Sequence, residues 1–133
     1  MSFYRNSRGS PRSEYLQHEN LREQASPTIA EKFPSLQSVT VDLGCYDAEG
    51  FVRSSQIKYS VNLDHAKSFF RVVCHNQECV RGDFDLSDAL AQAVLARHTD
   101  ASGEICCKGW RGHATIESMP CGNILRYRLT LGY

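Results

Sequence analysis

Four cysteines in two separated pairs constrain the fold of this chain more than any other feature. Cys74 and Cys79 bracket a short polar loop, and Cys107 and Cys121 bracket a segment rich in glycine, arginine and proline. Two cysteine pairs that meet across an inserted element are the usual construction of a structural zinc site. The sequence therefore predicts that these four thiolates hold one zinc ion in a closed site, without an open position for catalysis.

Two further cysteines and two histidines compete for places in this ligand set. Adjacent residues of a strand point to opposite faces, so only one of Cys106 and Cys107 can be a ligand, and Cys107 is favoured because it precedes a Gly-Trp turn. Cys45 follows the apolar alternation of a strand and is interpreted as a small buried hydrophobe. His75 and His113 are the candidate substitutes. The alternatives to zinc are buried free thiols, a redox pair and an iron–sulfur cluster.

Targeting signals and overall charge give little information about partners. The 133-residue chain begins with a polar segment that lacks the apolar region of a signal peptide, and no run approaches the roughly 18 apolar residues of a membrane span. We therefore expect a cytoplasmic protein without a membrane partner, in which reduced thiols favour metal over disulfides. With 15 basic and 15 acidic residues, the overall charge does not favour nucleic acid.

The chain divides into an N-terminal segment and one domain. Residues 1–25 are expected to be a flexible tail followed by a weak helix over residues 14–25, because that helix has few apolar anchors. A helix that cannot stand alone is a natural contact for a dimer or for another protein. Residues 26–133 are expected to form a single α+β zinc-binding domain.

Apolar alternation predicts the strands of this domain. Residues 39–45 and 57–63 alternate on either side of a turn and predict an antiparallel hairpin. Further strands are predicted at residues 69–74, 104–108 and 124–133. The expected fold is therefore an antiparallel sheet of about five strands, with the zinc site joining the end of the third strand to the fourth and fifth.

One main helix is predicted between the two cysteine pairs, on one face of the sheet. It runs from Asp85, as the cap, to about His98, and its apolar residues recur at helical spacing. The following residues 100–103, Asp-Ala-Ser-Gly, are predicted to form a turn.

The order of these motifs resembles that of known small proteins. A hairpin, a cysteine loop, an acidic-capped helix, Cys-x-Gly-Trp and a final Arg-Tyr-Arg strand are similar to those of small uncharacterised bacterial proteins. From about Phe70 to Tyr133 the chain resembles a zinc-ribbon-like domain with four cysteine ligands, in which a helix is inserted between the cysteine pairs. The resemblance implies a fold and a structural metal, and it implies no reaction.

No catalytic motif accompanies the cysteines. The sequence has no Gly-x-Ser-x-Gly and no His-Glu-x-x-His. A third interpretation is a small enzyme that uses Asp83 and Asp85 with His113 for acid–base chemistry, but the start of a helix explains both aspartates more simply. We therefore expect a non-enzymatic, zinc-stabilised binding or adaptor domain that engages another protein or a second copy of itself.

The alternative is a nucleic-acid or ribosome-associated binding protein. Arginines interleaved with aromatic residues can hold single-stranded nucleic acid, although an ordinary charged outer face of a sheet explains the same residues. The residues of this candidate surface are Lys58, Trp110, Arg111, Arg126 and Arg128.

Overall fold

The computed structural model describes residues 11–47, 49, 56–75, 79–80, 82–111 and 121–133. In these residues the chain forms, in order, α1 (Pro11–Ala25), α2 (Ile29–Lys32), β1 (Ser38–Tyr46), β2 (Ile57–Ser60), β3 (Arg71–Val73), β4 (Cys79–Val80), β5 (Asp83–Asp85), α3 (Ser87–Leu95), β6 (Asp100–Cys106), β7 (Trp110–Arg111) and β8 (Ile124–Gly132). The predicted α+β class is confirmed. Among the described residues, no helix is long and apolar enough to cross a membrane.

A four-stranded antiparallel sheet forms the framework, with strand order β2-β1-β8-β6. The predicted hairpin of β1 and β2 is confirmed, and it places Asp42 opposite Lys58. The apolar residues of β1 are buried as their alternation predicts, whereas all four residues of β2 are exposed. This difference arises because β2 lies at the edge of the sheet, where the core no longer covers it.

The inner face of this sheet packs against helices. Leu125, Leu129 and Leu131 of β8 belong to the same buried cluster as Leu90 and Val94 of α3. Their charged neighbours on β8 are exposed, as period-two alternation requires. Burial of these side chains supplies the hydrophobic free energy of the fold.

The prediction of one sheet of about five strands is wrong. Besides the four-stranded sheet, β3 pairs with β5 and β4 pairs with β7, each in a separate two-stranded sheet. The backbone of β3 is paired locally with β5 and does not extend the main sheet.

The boundaries of α3 differ from the prediction. Leu86 occupies the cap position without a side-chain cap, and the Asp85 carboxylate instead accepts a hydrogen bond of 2.9 Å from the Ser87 N–H. Asp85 therefore fixes the turn that precedes the helix. The helix ends at Leu95, earlier than predicted, and Arg97 adopts a positive φ of 53° in the turn that follows.

The predicted turn at residues 100–103 is in fact the first half of β6. Each of these residues is paired with β8, from Asp100 opposite Thr130 to Gly103 opposite Tyr127. Pairing with a central strand therefore overrides a local composition that is typical of turns.

Candidate metal centre

The four cysteines singled out in the sequence lie together. Cys74 follows β3, Cys79 is in β4, Cys107 follows β6, and Cys121 precedes β8. All four side chains are buried, and their Sγ atoms lie within 4.8 Å of one another. No other group of three or more potential metal ligands occurs in the part of the chain that the structure describes.

The spacing of the sulfur atoms fits one tetrahedral ion. The Sγ atoms of Cys74 and Cys121 are 3.7 Å apart, and those of Cys79 and Cys107 are 3.5 Å apart. A zinc–sulfur bond of about 2.3 Å requires an edge of about 3.8 Å between sulfurs in a tetrahedron. The four residues could therefore hold a metal ion without a large rearrangement.

Two glycines make room for the sulfurs. A Cβ at Gly82 would overlap Cys79 Sγ and would lie 2.5 Å from Cys107 Sγ. A Cβ at Gly109 would overlap the Val80 carbonyl oxygen and would lie 2.7 Å from Cys79 Sγ. Because a side-chain Cβ does not tolerate such close approaches, only glycine fits at positions 82 and 109.

The pKa values of two clustered thiols are raised when no cation is present. Hydrogen bonding with the neighbouring thiol of Cys107 raises the pKa of Cys79 far above its ordinary value. The pKa of Cys107 rises to about 12, chiefly because of its hydrogen bond with Cys74. Thiols packed this closely resist ionisation when no cation is present, whereas a bound divalent ion reverses this tendency and holds thiolates.

Backbone hydrogen bonds bring the ligand segments together. The N–H of Cys107 donates to the Asn123 carbonyl at 2.7 Å, and the N–H of Cys121 donates to the Gly109 carbonyl at 2.9 Å. The amide of Asn123 is buried, with Nδ2 4.0 Å from Cys74 Sγ. The segments around Cys107 and Cys121 are therefore joined directly at the cluster.

The N-terminal helix also reaches the cluster, which the sequence did not indicate. The Arg12 guanidinium donates to the carbonyl of Cys79 at 3.0 Å and to that of Cys74 at 3.1 Å. The helix begins at Pro11, before the predicted start at residue 14. Since 62 and 67 residues separate Arg12 from its two acceptors, no local pattern could have revealed this contact.

The competing ligand candidates lie elsewhere. Cys106 is exposed on β6, and Cys45 is buried in the hydrophobic core. The His75 ring stacks on Phe84, with Nε2 3.2 Å from the Tyr46 carbonyl oxygen, and it does not join the sulfur group. His113 lies outside the described residues.

The candidate nucleic-acid surface is electrically balanced where the structure describes it. Arg126 pairs with Glu104, and Arg128 Nη2 lies 3.2 Å from Asp100 Oδ2. Asp42 of β1 stands in register between Lys58 and Arg128. Each of these three basic residues therefore has a carboxylate partner or neighbour on the outer face of the sheet.

The remaining two residues of that surface lie in another sheet. Trp110 and Arg111 form β7, where Arg111 pairs with Cys79 in the register of β4. Trp110 is half-buried, and the side chain of Arg111 lies outside the described residues. The five residues are therefore divided between two sheets.

The two aspartates of the enzyme interpretation border a cavity of about 370 Å³, together with Tyr15, Ile105, Cys106 and Lys108. Asp83 is already engaged, because the Tyr15 hydroxyl donates to it at 3.0 Å and Arg71 lies 3.5 Å away. Burial raises the pKa of Asp83, and these two partners oppose the rise. The hydrogen bond between Tyr15 and Asp83 therefore anchors α1 to β5.

Comparison with known proteins adds no assignment. No family model matches the sequence, and no significant match was found among curated proteins or solved structures.

Proposed function

We propose that this chain is a non-enzymatic binding module stabilised by a structural zinc ion that Cys74, Cys79, Cys107 and Cys121 coordinate. The observation that supports it is the buried group of four sulfurs, all within 4.8 Å of one another. Four thiolates complete the tetrahedral shell that zinc prefers, so a substrate would find no open coordination position. A closed site of this kind contributes folding free energy instead of chemistry.

Metal analysis of adjacent cysteine variants tests the site. We expect the purified protein to carry one zinc ion per chain, the Cys107→Ser variant to lose it, and the Cys106→Ser variant to keep it. Cys106 is the matched control because it is the neighbouring thiol and is exposed. A folded wild-type protein without any metal would contradict the proposal, and so would equal zinc content in the two variants.

A protein is the partner class that the exposed residues favour. Ile57 and Tyr59 of edge strand β2 remain 49% and 39% exposed. Among the described residues, β2 pairs only with β1, so its other edge offers unpaired backbone groups to an added strand. The nucleic-acid alternative has weaker support, because carboxylates accompany Lys58, Arg126 and Arg128.

Affinity purification with nuclease treatment separates the two partner classes. We expect proteins recovered with the wild type to remain after nuclease treatment and to be lost from the Tyr59→Lys variant. The Lys58→Ala variant is the matched control, since its side chain lies on the opposite face of the same strand. Loss of the bound material on nuclease treatment, or in Arg126→Ala and Arg128→Ala variants, would favour nucleic acid instead.

A further inference from the structure

Helix α1 is held to the rest of the protein by polar contacts. Arg71, whose side chain is only 2% exposed, lies 3.4 Å from Glu23 of the helix and 3.5 Å from Asp83. Tyr15 donates to the same aspartate, and Leu21 remains 72% exposed. A helix of this length is marginal alone, and so little apolar burial adds only a small hydrophobic free energy. The folding of α1 therefore depends on its docking.

The first turn of this helix contacts the backbone of two of the proposed ligands. Arg12 spans the carbonyls of Cys74 and Cys79, the pair that brackets the first cysteine loop. The positions of these carbonyls depend on where the sulfurs of the same residues are held. Four thiolates exceed the charge of a divalent cation, so the guanidinium also lies beside a centre of net negative charge.

We infer that Arg12 couples α1 to the metal centre, so that metal binding docks the helix and the docked helix strengthens metal binding. The inference rests on the proposed zinc site. Such coupling is reciprocal, because the factor by which the ion favours docking equals the factor by which docking favours the ion. Loss of the ion then releases α1 and uncovers Arg71 and Asp83, which makes the helix a metal-controlled latch.

Competition for zinc with a chromophoric chelator tests the effect of the helix on the ion. Groups that contact metal ligands typically contribute about 10–100-fold to metal affinity, so we expect Arg12→Ala to weaken zinc binding at least about tenfold. Tyr15→Phe should weaken it by a smaller factor, although the hydroxyl bonds to Asp83 and not to a cysteine. Gln17→Ala, at an exposed position of the same helix, should bind zinc like the wild type.

Other zinc affinities in this competition experiment would contradict either the latch or the proposed zinc site. Wild-type affinity in the Arg12→Ala variant overturns the latch. Weakened affinity in Arg12→Ala with wild-type affinity in Tyr15→Phe also overturns it, because Arg12 would then act on the centre without the docked helix. A wild-type protein that binds no zinc contradicts the proposed function and is a separate failure.

Amide hydrogen exchange tests the effect of the ion on the helix. We expect the amides of residues 15–25, which are hydrogen-bonded within α1, to be protected in the zinc-loaded protein and to exchange freely after chelation, while β1 and β8 keep more protection. If chelation unfolds the whole chain, the zinc-loaded Arg12→Ala variant decides the question. This variant should exchange freely over residues 15–25 and keep wild-type protection in β1 and β8. Wild-type protection of residues 15–25 would overturn the latch.

Discussion

At the scale of single residues, two glycines leave the space that the cysteine cluster occupies. Gly82→Ala or Gly109→Ala would place a methyl group inside the contact distance of Cys79 Sγ. We expect either variant to lose zinc or to bind it much more weakly, as measured by metal analysis.

Gly44 supplies the matched control for these substitutions. A Cβ at Gly44 would meet only the Tyr46 side chain, at 3.1 Å, and this ring can shift. We expect Gly44→Ala to keep its zinc. Full zinc content in both Gly82→Ala and Gly109→Ala would show that the sulfurs do not need the space the structure gives them.

Glu31 makes the folding stability depend on pH in a way that does not involve the metal. Its carboxylate accepts a hydrogen bond of 2.8 Å from the Thr28 N–H at the start of α2, and this bond lowers its pKa from the ordinary value of 4.5. A lowered pKa in the folded state adds stability above the ordinary value, and this contribution is lost as pH falls through the folded value. We expect the wild type to lose stability relative to Glu31→Gln on acidification.

The measurement compares urea unfolding of the two proteins between about pH 6 and pH 4. The difference in their free energies of unfolding should narrow as pH falls. Effects at the metal centre cancel in this comparison, because both proteins share it. A difference that stays constant across the range would mean that the capping carboxylate keeps its ordinary pKa.

At the scale of elements, α3 carries a matched pair of leucines. Leu90 is fully buried against the sheet, whereas Leu95 of the same helix is 83% exposed. We expect Leu90→Ala to lower the free energy of unfolding by about 2–5 kcal/mol, because it leaves a cavity in the core. Leu95→Ala should change it by less than about 0.5 kcal/mol. Urea denaturation of the zinc-loaded variants measures both free energies of unfolding. Similar decreases in Leu90→Ala and Leu95→Ala would contradict this packing of α3.

The elements that the sequence predicted best are those whose periodicity reports burial. Residues 39–45 and 124–132 alternate because one face of β1 and β8 meets the core, and α3 shows the helical period for the same reason. Residues 100–103 could not be recognised as strand, since their composition is that of a turn and only pairing with β8 extends them. The separation of β4 from the main sheet likewise depends on pairing with β7, which lies far along the sequence, whereas β3 pairs with the nearby β5.

At the scale of the whole molecule, one ion would join three sheets. The four cysteines lie beside the β3–β5 pair, within the β4–β7 pair, and next to the ends of β6 and β8 in the main sheet. Because the free energy of metal binding contributes to folding, we expect a chelator to lower the melting temperature by more than Leu90→Ala does. Calorimetry of the loaded and chelated protein measures this, and equal melting temperatures would exclude a structural role for the metal.

The candidate metal centre could be predicted only in part. The four cysteines were recognisable from their pairing, and Cys107 was distinguishable from Cys106 by strand alternation and the turn that follows. The contribution of Arg12 was not, because a residue in a short polar segment carries no signal of a partner more than 60 residues away. Local patterns identify ligands, whereas the groups that orient ligands come from the tertiary fold.

The central position of β8 has a consequence for synthesis on the ribosome. β8 is the last strand of the described chain, and it lies between β1 and β6, so the two halves of the main sheet cannot meet before it emerges. The hydrogen bonds that β1 makes with β8, and the burial of the apolar face of α3 against this strand, must therefore wait for residues 124–132. We expect nascent chains arrested before this strand to be sensitive to protease, and chains in which an added C-terminal linker carries β8 clear of the ribosome to be resistant.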